Sequence, residues 1–115
     1  MRAEGQMAYD EGAAQRLRAA LGPLPGLTEK KMFGGMSYLL RGNMACGMLG
    51  EELIVRVGPA QHAAALAQPG ARVFDFSGRP MAGWVTVAPA GYASEVELAR
   101  WVKVGIDFAG SLPAK

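Results

Sequence analysis

One cysteine and one histidine, Cys46 and His62, stand in 115 residues. A single cysteine excludes an intrachain disulfide, and one imidazole with one thiol is not a ligand set for a structural metal. Long hydrophobic runs are missing as well, since no stretch approaches the roughly 20 apolar residues that span a bilayer. The opening "MRAEGQMAYDEG" lacks the apolar core of a signal peptide, so the expectation is a soluble, cytoplasmic protein. Nor does charge of one sign dominate. Twelve Lys and Arg against ten Asp and Glu leave a formal +2, and the charges are interspersed, as in Glu29-Lys30-Lys31. Nucleic-acid binding through counterion release needs several phosphate contacts on one face. The sequence shows no such cluster, although a fold could gather one.

What is present describes one globular domain. Half of the residues are hydrophobic and 19% are charged, and a chain of this length buries roughly 65% of its unfolded surface. Asp10 is a cap residue ahead of an amphipathic helix in which Ala13, Ala14, Leu17, Ala20, Leu21 and Leu24 recur at helical spacing, and Gly22-Pro23 ends it. The period then changes. Residues 28–33, 36–41, 43–49 and 53–57 read as short strands separated by Gly34-Gly35, Gly42-Asn43 and Gly50-Glu51, an antiparallel meander. Pro59 opens a short alanine-rich helix that reaches Pro69-Gly70. "RVFDF" and "WVTVA" are two more strands, joined by "SGRPMAG". Ser94 and Glu97 form a capping box for a long helix whose Leu98, Trp101 and Val102 share a face. Gly105 lies inside that helix at a cost of about 1 kcal/mol, which predicts close approach to another element. The class is therefore α+β: an antiparallel meander sheet packed against an N-terminal and a long C-terminal helix.

The stretch "EKKMFGGMSYLL" sets lysine beside glycine, the ingredients of a phosphate loop. In that loop the lysine follows the glycines and opens a helix. Here Lys30 and Lys31 precede them and a strand follows, so a bend without nucleotide is expected. "GMSYL" lacks the final glycine of a nucleophile elbow, which also requires a strand-to-helix turn. Cys46 alternates with Met44 and Met48 and reads as a buried small hydrophobe. In "DFSGRPMAGW", Arg79 sits between glycine and proline in an expected turn, free to pair with Asp75 or to hold an anion, with Met81 and Trp84 beside it.

Taken together, "LPGLTEKKMFGGMSYLLRGNMACGM", "LIVRVGP", "DFSGRPMAGWV" and "LARWVKVGIDFAGSLPAK" resemble the N-terminal domain of the TfoX/Sxy competence regulators. The resemblance covers residues 7–115 and leaves 1–6 as a short extension. It implies a compact α+β domain and an accessory role in expression of DNA-uptake genes, in concert with the cyclic-AMP receptor protein. It carries over no catalytic residue, metal or cofactor, and it implies a second, C-terminal domain in the full regulators, beyond the stretch that ends in "SLPAK".

Three readings stand at this point. One is a non-enzymatic module acting by protein contact, with a transcription regulator as the kind of partner the resemblance implies. Another is a nucleic-acid-associated protein whose fold gathers arginines and lysines. The third is an enzyme or small-ligand binder, with Arg79 as an anion hook beside Met81 and Trp84. Candidate interaction residues are Lys30, Lys31, Met32, Phe33, Met44, Met48, Arg79, Met81 and Trp84. Strand alternation places Met44, Cys46 and Met48 on one side, and neither meander strand offers a charged face. With the short helix covering only part of the second face, leftover apolar surface points to a homodimer or a patch kept for a partner.

Overall fold

The computed structural model describes residues 9–32, 34–76 and 78–115. The extension through Met7, Phe33 and the Arg79 side chain lie outside the described residues. The elements follow in the order α1 (Glu11–Leu21), β1 (Leu27–Met32), β2 (Gly35–Leu40), β3 (Asn43–Leu49), β4 (Glu52–Arg56), α2 (His62–Leu66), β5 (Ala71–Phe76), β6 (Arg79–Val87) and α3 (Glu95–Gly110). Six strands form one antiparallel sheet in the order β1-β2-β3-β4-β6-β5. The domain is thus α+β with a helical layer on a meander. Among the described residues no helix is long and apolar enough to cross a membrane.

Local chemistry sets the helix ends. The Asp10 side chain accepts from the Ala13 N–H, and Ser94 with Glu97 closes a complete capping box at the start of α3. The apolar stripes then find the sheet: Leu17, Leu98, Trp101 and Val102 are buried, and α1 also packs on α3. Gly105 makes that layer thin. A Cβ there would stand 2.5 Å from the Ala45 carbonyl oxygen, so the α3 backbone rests directly on β3.

The alternation expected in β3 fails at one residue. Tyr38 pairs with Cys46 but Leu39 pairs with Met44, so Ala45 is an extra residue in β3. Ala45, Cys46 and Met48 consequently join the helix-side core, whereas Met44 turns to the opposite face. Met48 is 1% exposed beneath the helices, which corrects its placement with Met44 on a shared surface. The extra residue is small where α3 comes closest, and the bulge and Gly105 fit each other.

Three further readings change. The β2–β3 turn is Arg41-Gly42 rather than Gly42-Asn43, because Leu40 pairs with Asn43. Arg41 has φ 49, the only non-glycine positive φ among the described residues. Its backbone N–H donates to the Gly26 carbonyl and its own carbonyl accepts from the Lys115 N–H, which hold it there. "SGRPMAG" is not a loop: Phe76 pairs with Arg79, so Arg79, Pro80 and Met81 begin β6. β4 pairs only with residues 84–87 of β6, so Pro80 lies where β6 has one neighbour and a missing N–H costs no ladder bond. Finally, α2 lies on the same side as α1 and α3, since Ala65 belongs to their core cluster. No described helix covers the other face of the sheet.

Candidate functional site

The helix-free face is built from strand periodicity. β1 contributes Met32, β2 Leu39, β3 Met44 and Leu49, β4 Ile54, and the β5–β6 hairpin Phe74, Met81 and Trp84; together they form a second apolar cluster. Cross-strand register brings them together: Leu39 faces Met44, and Ile54 faces Thr86. Met44, Ile54 and Phe74 are 4%, 2% and 2% exposed without any helix above them. The Met44 side chain reaches over Gly47, where its Cε lies 3.1 Å from the place a Cβ would take. Phe74 and Trp84 meet with ring centroids 6.1 Å apart and planes tilted by 43°. Met32, Leu39, Leu49, Met81 and Trp84 remain half-buried as a strip around this centre.

That arrangement modifies the expectation of a broad apolar surplus. Val96, on α3, is the one large hydrophobic residue that is exposed among those described. The methionines and the hairpin close over the middle of the face, leaving a narrow, adaptable strip rather than an open sheet.

Charge borders the strip. Glu52 and Arg72 pair across β6 over the buried Thr86. Arg56 lies opposite Trp84 in the register, its guanidinium 5.1 Å from the Trp84 ring and 5.3 Å from that of Phe108. Such contacts fix an arginine without an acidic partner. Lys30 points to this face beside Ser37, while Lys31 points to the helix side beside Met36. Both are exposed on an edge strand, where charge discourages pairing with another chain.

The basic positions do not gather. Arg16 pairs with Glu95 and donates to the Tyr92 and Ala93 carbonyls. Arg18 pairs with Glu29 at 2.7 Å, Arg41 donates to the Gly110 carbonyl, and Arg72 is held by Glu52. A contiguous cationic face therefore loses most of its members to internal partners. The glycines after Lys31 introduce no helix, because Gly35 opens β2; the phosphate-loop geometry is missing there. Burial pushes the Cys46 thiol up to about 12, consistent with a core thiol.

Of the nine residues singled out from sequence, Met32, Met44, Met81 and Trp84 converge on one cluster, and Lys30 flanks it. Lys31 faces the other way, Met48 lies in the core, and Phe33 and the Arg79 side chain are outside the described residues. Leu39, Leu49, Ile54, Phe74 and Arg56 were not singled out. In β4 the spacing of Ile54 and Arg56 already placed them on a common side, but each reads alone as an ordinary strand residue.

No curated protein and no solved structure matches this chain. The family model described as the TfoX N-terminal domain matches residues 19–109, from within α1 to near the end of α3. The match takes in every strand of the sheet and both of its faces, and the chain belongs to the TfoX N-terminal domain family.

Proposed function

We propose that this domain is a non-enzymatic regulatory module that works by protein contact through the helix-free face of its sheet. The observation that supports this most is the convergence of Met32, Met44, Met81 and Trp84, from three separate stretches, onto one cluster with a half-buried rim. Flexible thioethers and an indole suit a surface that adapts to a partner. In this reading the partner is a cytoplasmic transcription regulator acting on DNA-uptake genes, as the family resemblance implies. A second copy occupies the same face when that partner is missing, its sheet stacking on the first about 10 Å away.

Affinity capture from native cytoplasm tests the reading. A Leu39→Glu/Leu49→Glu variant changes the rim and spares the buried centre. The wild-type domain should retain a regulator that the variant loses, with circular dichroism unchanged. Equal capture by a folded variant refutes the assignment to this face. Sedimentation of the purified domain separates the two occupants, since a dimer that the variant abolishes identifies a second copy.

A further inference from the structure

On the helix side, a cleft of about 340 Å³ lies between α2 and α3, lined by Gln61, Ala65, Gln68, Arg100, Trp101 and Val104. A neighbouring hollow of about 440 Å³ shares Gln61 and Val104 and continues to Phe108. The first of these combines a fixed apolar floor with a cation that makes no hydrogen bond or ion pair among the described residues.

The floor is set by Trp101. The residue is 7% exposed, and its Nε1 donates to the Gly91 carbonyl at 3.2 Å. The indole's one polar atom is therefore engaged, and what it offers a ligand is hydrocarbon. Gly91 keeps the end of the cleft tight, because a Cβ there would come within 2.5 Å of the Pro69 carbonyl oxygen. Ala65 and Val104 complete a floor with no charge.

The rim differs. Arg16, Arg18, Arg41, Arg56 and Arg72 each have an internal partner, whether carboxylate, carbonyl or aromatic ring. Arg100 has no hydrogen bond, ion pair or ring contact among the described residues, and its side chain is exposed at the mouth of the cleft. Glu97, one turn earlier, also lines the cleft, but its Oε1 is committed to the Ser94 N–H at 3.1 Å as part of the helix cap. The Arg100 charge acts on this carboxylate across one turn of α3, without a hydrogen bond or ion pair between them. Gln61 and Gln68 add two carboxamides that make no hydrogen bond within the described chain.

We infer that this cleft binds a small organic acid, an aromatic or short-chain carboxylate. Its apolar body lies on Trp101, Val104 and Ala65, its carboxylate meets the planar fork of Arg100, and the two amides serve its remaining polar atoms. The volume is at the small end of ligand sites, which fits a compact acid. A bare inorganic anion gains nothing from the floor, and a neutral analogue gains nothing from Arg100. The site lies on the opposite side of the sheet from the proposed interaction face, so its failure leaves that face untouched.

Nitrogen-15 NMR titration of the whole chain tests this with three probes: phenylbutyrate, its neutral amide, and inorganic phosphate. Phenylbutyrate should give saturable shifts at the Trp101 indole N–H and the Gln61 and Gln68 side-chain amides. The neutral amide should bind about tenfold more weakly, the value of one charge-assisted contact, and phosphate should give no shift at these groups. Arg100→Gln should lose about tenfold in affinity while Lys103→Gln keeps it. Ala64→Met, at an exposed position of the lining, should block binding with the melting temperature retained. Absence of saturation with phenylbutyrate, equal affinity for acid and amide, or full affinity in Arg100→Gln overturns the proposal.

Discussion

Gly105→Ala sets two effects of opposite sign against each other at the contact between α3 and β3. Alanine is worth about 1 kcal/mol over glycine in a helix interior. Against this, the added Cβ meets the Ala45 carbonyl oxygen at 2.5 Å, its carbonyl carbon at 3.2 Å and Val55 Cγ1 at 3.4 Å. The nearest obstacle is backbone of an inner strand, which cannot swing aside as a side chain would. Relief requires α3 to lift from the sheet, loosening Leu98, Trp101 and Val102 together. Overpacking costs about 1–3 kcal/mol, and a backbone clash belongs at the upper end. The net expectation is a loss of about 1–2 kcal/mol, or roughly 4–8 °C in melting temperature for a domain of this size. Gly12→Ala is the control. Its Cβ meets only Asp10 Oδ1 at 3.4 Å, an ordinary contact, so helix propensity acts alone and the domain should gain up to about 1 kcal/mol. Calorimetry and urea unfolding read both. A Gly105→Ala protein that melts at or above the wild type would show that α3 does not rest on Ala45.

Other outcomes follow from the same contacts. Trp101→Ala empties a large aromatic site and removes the bond to Gly91, and should cost about 3–5 kcal/mol; an unchanged urea midpoint contradicts the packing. Cys46 is fully buried with its thiol pushed up to about 12, so Ellman's reagent should react only after unfolding. Prompt reaction of the native protein refutes its core placement. The Glu97 carboxyl is held below its ordinary 4.5, first by the Ser94 backbone N–H and then by the Ser94 side chain. Its contribution is therefore complete above that value and declines as pH falls through the lower folded one. The stability difference between wild type and Glu97→Gln should shrink under acid conditions, and a difference constant with pH goes against the cap.

Legibility in the sequence divided along physical lines. Caps, helix stripes and the Gly50-Glu51 turn depend on neighbours a few residues apart, and these could be read directly. The contact at Gly105 was also legible, because a helical glycine needs a reason. The bulge was not: Met44, Cys46 and Met48 satisfy alternation equally well in a strand without an extra residue, and only pairing with Tyr38 and Leu39 reveals Ala45. Arg41 at positive φ depends on Gly26 and on Lys115 at the far end of the chain. The side chosen by α2 is set by packing on β5 and β6, on which the short alanine run is silent. At the site, Met32, Met81 and Trp84 stood out in unusual stretches. Their partners Ile54 and Phe74 became visible only once β6 was seen to lie between β4 and β5, and Leu39 only through the shifted register of β2 on β3.

Methionine oxidation footprinting tests the interaction face most directly, because the chain carries its own control. Met32 and Met81 are half-buried on the helix-free face, and Met36 is half-buried against the helix-side core. Sulfoxide formation follows exposure of the thioether. In the assembled state, whether with a second copy or a captured regulator, Met32 and Met81 should oxidise several-fold more slowly than in the isolated domain, and Met36 at an unchanged rate. Equal oxidation of Met32 and Met81 in both states, or protection confined to Met36, contradicts the account.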